Sequence, residues 1–113
     1  MSEECLFCRV VAGEVPADVV RRTERVLAFR DIDPKAPVHV LVIPLAHHGD
    51  VGALARDDGD LLADLGRVAA EVGEAESPDG WRLVFNTGAG AGQTVFHVHG
   101  HVLGGRGFGW PPG

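Results

Sequence analysis

The chain has 113 residues, of which 10 are Lys or Arg and 16 are Asp or Glu, for a formal net charge of −6. The basic residues are scattered, which argues against a nucleic-acid face or an anionic membrane as partner. At this length one domain, 1–113, is expected. The start Met1-Ser2-Glu3-Glu4 is acidic, unlike a signal peptide, and no apolar run reaches 18 residues, so a cytoplasmic protein is expected.

Taken in order, residues 4–12 predict a short helix closed by Gly13, with Glu3 and Glu4 suiting its N-terminal end. Cys5 and Cys8, three apart, then share a face. Residues 19–22 read as an edge strand. Residues 26–32 read as a second strand, with Val26, Ala28 and Arg30 on one face and Leu27, Phe29 and Asp31 on the other. Two prolines fix the loop Asp33-Pro34-Lys35-Ala36-Pro37. Residues 38–43 form the strongest strand, stopped by Pro44, and short connections make the three strands an antiparallel meander. Residues 45–55 are ambiguous and open to a helix start. Residues 57–74 carry the stripe Leu61, Leu65, Val68 and Val72 of an amphipathic helix. A turn at Ser77-Pro78-Asp79-Gly80 leads to a fourth strand at 81–86, a glycine loop at 87–92 and a fifth strand at 95–103. Strands, a central helix and strands again make an α+β domain with a five-stranded antiparallel sheet and two helices.

The fifth strand, Val95-Phe96-His97-Val98-His99-Gly100-His101-Val102-Leu103, holds three of the six histidines. Alternation places His97, His99 and His101 on one face and Val98 and Val102 on the other. On a strand His97 and His101 would lie about 13 Å apart, too far to share one ion, although one or two of the three remain open as ligands. The chemical reading is nucleophilic and acid–base work, because neutral imidazole is a good nucleophile near pH 7 and its neighbours can orient it or move protons. A polar strand face without chemistry is the bland alternative.

Other residues admit two or more readings each. Cys5-Leu6-Phe7-Cys8 is a buried thiol pair, a redox motif or half of a zinc site that needs two more ligands. Asp31 is a strand-end polar residue or a binding carboxylate. Asn86, with Gly88, Gly90 and Gly92 after it, is a turn or a phosphate cradle, since glycines let backbone N–H groups approach phosphate. His39 alone reads as a satisfied core histidine. Gly100 would leave a gap costing about 2–5 kcal/mol unless neighbours refill it.

The run His97-Val98-His99-Gly100-His101-Val102-Leu103, led by Gly92-Gln93-Thr94-Val95-Phe96 and followed by Gly104-Gly105-Arg106 and Trp110-Pro111-Pro112-Gly113, resembles the histidine triad (HIT) family and its Hint branch of nucleoside phosphoramidases. The resemblance spans nearly the whole chain. It implies the HIT fold, with two subunits joining their sheets in a homodimer and each tail, including Trp110, near the partner's site. It implies a purine nucleotide substrate of the AMP type, His99 as nucleophile, His101 stabilising phosphoryl charge and Thr94 near the leaving group. Asp31 would bind ribose, flanked by Phe29, Arg30 and Ile32, and Asn86, Gly92, Gln93 and Thr94 would surround the phosphate. The resemblance makes His39 a proton-relay candidate. It completes a Cys₂His₂ zinc site from Cys5, Cys8, His47 and His97, with His48 a rival of His47; His97 would then orient the site. No Mg²⁺ or organic cofactor is implied. A diadenosine polyphosphate hydrolase or nucleotidyl transferase using the same His99, and a nucleotide-binding interaction module with little activity, are the alternatives.

Overall fold

The structure is a computed structural model and describes residues 5–113. The elements run α1 (Leu6–Val11), β1 (Val19–Arg22), β2 (Val26–Arg30), β3 (Val38–Pro44), α2 (Val51–Asp57), α3 (Gly59–Glu76), β4 (Trp81–Phe85), a single 3₁₀ turn (Ala89–Ala91) and β5 (Gly100–Gly104). The sheet has five strands in the order β1-β2-β3-β5-β4, and every neighbouring pair is antiparallel. The meander β1-β2-β3 comes from short turns, whereas β5 enters between β3 and β4, which puts the last strand near the centre.

Period-two alternation divides the core. Val26, Ala28, Val40, Val42, Val98 and Val102 face α3, which buries Leu61, Leu65, Val68 and Val72 against them. Leu27, Phe29, Leu41 and Ile43 point the other way and pack with Phe7 and Val10 of α1. One face is therefore closed by an 18-residue helix and the other only in part by a six-residue one. The functional side chains lie on the thinly covered face.

Several element ends differ from expectation. Helix α1 starts after Cys5, whose Sγ accepts the Cys8 N–H at 3.4 Å as an N-cap, and ends before Gly13, whose φ of 80° suits glycine. The proposed role of Glu3 and Glu4 at its start lies outside the described residues. The ambiguous stretch after Pro44 is irregular as far as Asp50, which caps α2. Asp58 then both ends α2 and caps α3, its carboxylate accepting the Leu61 N–H at 3.1 Å, so the long helix runs from Gly59 rather than from residue 57.

Three strands are shorter than expected, β4 by one residue because it ends at Phe85. Strand β2 stops at Arg30, and Ile32 is 99% exposed. Strand β5 begins at Gly100 rather than at residue 95. Its ladder with β3 ends at Val42↔Gly100; two residues further, the partner would be Pro44, which has no N–H to give. The Val98 N–H donates instead to the His48 carbonyl at 2.7 Å.

Several glycines are fixed by close packing. A Cβ on Gly73 would strike the Trp81 ring. A Cβ on Gly100 would lie 2.7 Å from Leu83 Cδ1 and 3.1 Å from Phe85 Cζ, so these two β4 side chains fill the gap expected there.

Candidate active site and metal centre

His97 is fully buried, and its Nε2–H donates to the Pro44 carbonyl at 2.9 Å. A neutral imidazole has one N–H, so Nδ1 is left with a lone pair. That nitrogen lies 3.3 Å from Cys5 Sγ, 3.5 Å from Cys8 Sγ and 3.2 Å from His47 Nδ1, and Cys8 Sγ is 3.4 Å from His47 Nδ1. Around a tetrahedral zinc these edges would be about 3.3 Å for N···N and about 3.6 Å for N···S. The four residues Cys5, Cys8, His47 and His97 thus form a group that could hold a metal ion, with two soft and two borderline donors. Burial, followed by the neighbouring Cys5, pushes the Cys8 thiol up to about 11. Two thiols held this close need a cation to become thiolates together, so the residues fit a metal. His48 is turned away, its Nδ1 3.5 Å from Asp57 Oδ2, and it is His47 that stands in the group.

The carbonyl of His97 accepts the His99 Nδ1–H at 2.8 Å. Nε2 of His99 therefore carries the lone pair, on a ring that lines a cavity of about 370 Å³. Leu6, Phe7, Val10, Val15, Pro16, Ala17, Phe29, Ile32, Leu41 and Val95 supply its apolar walls, and Asp31, Thr94, His99 and His101 its polar groups. Phe7 meets the His99 ring edge-on at 5.0 Å and 89°.

A second chain of hydrogen bonds sets His101. The Lys35 N–H donates to His39 Nδ1 at 3.0 Å, which puts the His39 proton on Nε2. Nε2–H faces His101 Nδ1 at 2.9 Å, with Asp31 Oδ2 at 3.4 Å. His101 must then carry its own proton on Nε2, which is buried with no hydrogen-bond partner among the described residues. An unmet buried donor is costly, and here it stands beside His99, where a developing anion would satisfy it. Burial, with His99 and His39 nearby, pulls His101 down to about 4, and burial likewise lowers His39, so both remain neutral near pH 7. Asp31, His39 and His101 also come within ligating distance of one another. The Lys35 amide keeps the proton on His39 Nε2, however, where a metal would need a lone pair. This group is a proton-ordered hydrogen-bond chain rather than a metal centre.

A HIT domain family model matches residues 12–108. The chain belongs to the HIT family. It is 45% identical to an uncharacterised HIT-like protein of Synechocystis, over the full length of both. It is 41% identical to the purine nucleoside phosphoramidase of Escherichia coli, across 94% of this chain and 91% of that one. The crystal structure of a HIT family hydrolase from Legionella pneumophila superposes with a TM-score of 0.92 at 47% identity, covering 97% of this chain and 100% of the other.

In this HIT protein Phe29, Asp31, Ile32, Thr94, His99 and His101 line the 370 Å³ cavity. Asp31 is oriented by the Asp33 N–H, which donates to Oδ1 at 2.8 Å. Arg30 also lines the cavity, but its guanidinium is turned to Glu76, with two bonds of 2.9 Å. Asn86 lies in an adjoining cavity of about 340 Å³ that shares Asp31 and His101 with the first. Gln93 is 3% exposed, and its amide is spent on three backbone groups: Oε1 accepts from Gly88 N–H at 2.9 Å, and Nε2 donates to the Gly49 and Val95 carbonyls. The Gly92 N–H is likewise spent on the Ala89 carbonyl. Trp110 is 85% exposed and lines neither cavity. Sequence reasoning missed Phe7 as a cavity wall. The signal was available in two apolar faces, on the first helix and the second strand, that must meet. The Lys35 amide left no signal, because any residue but proline supplies it.

Proposed function

We propose that the chain is a purine nucleoside phosphoramidase that cleaves the P–N bond of adenosine 5′-phosphoramidates through a nucleotidyl-His99 intermediate. The observation that carries this reading is the His99 tautomer: with Nδ1–H on the His97 carbonyl, Nε2 is an unprotonated nucleophile at the wall of a nucleoside-sized cavity. The base occupies the apolar chamber beside Phe29 and Ile32, and the Asp31 carboxylate accepts the ribose hydroxyls. The His99 Nε2 lone pair attacks the α-phosphorus; the P–N bond breaks, and its electron pair leaves with the amine, which takes a proton by way of Thr94 or water. The buried Nε2–H of His101 donates to a phosphoryl oxygen as charge grows. Water then attacks the same phosphorus, the P–Nε2 bond breaks and AMP leaves. The 41% identity to the Escherichia coli purine nucleoside phosphoramidase supports this substrate class.

Cys5, Cys8, His47 and His97 would hold a structural zinc, which supplies a fixed crosslink between α1, the loop after β3 and the triad. The thiol ligands suit a reducing cytoplasm. The chain acts as a homodimer: β4 ends the sheet as an open edge carrying half-exposed Trp81, Leu83 and Phe85, a surface suited to a second copy.

Turnover of an adenosine phosphoramidate, set beside that of a diadenosine polyphosphate, tests the reading. The phosphoramidate is expected to be the better substrate, and His99→Ala to lose both reactions. A preference for the diadenosine compound, or near-normal turnover by His99→Ala, would overturn it.

A further inference from the structure

Cys5 and Cys8 bracket Phe7 in the same turn of α1. Phe7 is 6% exposed and meets three rings edge-on: Phe29 at 5.5 Å, His97 at 6.1 Å and His99 at 5.0 Å. Leu6, Phe7 and Val10 form part of the wall of the 370 Å³ cavity. One six-residue helix and its N-cap residue thus carry two candidate metal ligands and three wall residues. A helix this short has no stability of its own and stays where its side chains are fastened. Three neighbours surround the His99 ring: the His97 carbonyl, the Phe7 edge and the His101 ring at 4.9 Å, of which the first two are tied to the cluster. His97 is itself a ligand of the cluster, and Phe7 sits between two others.

We propose that metal binding at Cys5, Cys8, His47 and His97 sets the nucleotide pocket, with Phe7 as the positioning residue that links the cluster to the His99 ring and the base chamber. This rests on the nucleotide-binding reading above. Loss of the metal releases the α1 wall and both constraints on His99 together. The nucleophile then samples other ring directions, and the chamber loses the face against which a base packs.

The test uses the full chain loaded with zinc, the same chain stripped by a chelator, and zinc-loaded Phe7→Leu. Each is read by its dissociation constant for AMP, by the ¹⁵N tautomer pattern of the His99 imidazole and by circular dichroism. Stripping is expected to weaken AMP binding by about tenfold or more and to turn a single Nδ1–H tautomer of His99 into an averaged one. Phe7→Leu, keeping one zinc per chain, is expected to move both readouts in the same direction. A stripped chain that stays folded, with AMP affinity and His99 signals unchanged, would overturn the proposal. Where stripping unfolds the chain, unchanged readouts in zinc-loaded Phe7→Leu overturn it. If the loaded chain binds no AMP, the nucleotide reading fails, and the His99 signals alone decide whether the cluster positions that ring.

Discussion

His97 and His99 are joined by a 2.8 Å bond from the His99 Nδ1–H to the His97 carbonyl. The same residue whose ring faces the two cysteines therefore fixes, through its main chain, which nitrogen of the next histidine is free. His99→Ala removes that nitrogen and should lower phosphoramidate turnover at least about 10³-fold while AMP binding in the apolar cavity persists. Steady-state kinetics beside calorimetric AMP binding measures both.

The bond between His39 and His101 is the second control point. His39→Ala leaves His101 Nδ1 without its donor, so the His101 proton can move from Nε2 to Nδ1 and cease to face the reacting phosphate. The expected result is a kcat lowered about 10²-fold with KM little changed. A change confined to KM would contradict this role.

Metal content separates the two adjacent histidines. His47→Ala and Cys8→Ser each remove a ligand and should reduce bound zinc well below one per chain. His48→Ala, whose ring faces Asp57, should keep the full complement. Elemental analysis of the purified variants checks this.

The pH dependence follows from burial. His101 is held down to about 4 in the folded chain against an ordinary value near 6.5, so between those limits the unfolded chain binds the extra proton. Stability therefore rises with pH across this window, is flat above about 6.5 and is lost as the solution is acidified toward 4. The loss from this ring is up to about 1.4 kcal/mol per pH unit. Denaturant titrations at pH 7 and 5 should show it, and His101→Gln should lessen the slope without abolishing it, because burial holds His97 down to about 4 as well.

Gly100 is fitted to its neighbours in β4. Gly100→Val drives a side chain into Leu83 and should cost about 1–3 kcal/mol. Adding Leu83→Ala opens room, so the double variant should lose less than the two single losses summed, as read from thermal unfolding.

Much of this site is written in periodicity. The alternation of His97, Val98, His99, Gly100, His101 and Val102 assigned the histidines to one side, and that held although only the last part is a strand, because extended backbone alternates with or without a ladder. The α3 stripe and the faces of β2 were legible for the same reason. What stayed hidden depends on single hydrogen bonds. The Val98 N–H turns to His48 rather than to a strand partner. The Lys35 amide sets a tautomer in His39. Gln93, expected at a phosphate, spends its amide on the backbone of Gly88, Gly49 and Val95. None of these changes a residue type or a spacing.

The most direct test is intact-mass spectrometry of the protein mixed briefly with an adenosine phosphoramidate and quenched in mild alkali, beside His99→Ala. The account predicts a mass gain of one AMP on the wild-type chain and none on the variant. An equal gain on His99→Ala, or AMP released by that variant at the wild-type rate, would contradict nucleophilic attack by His99.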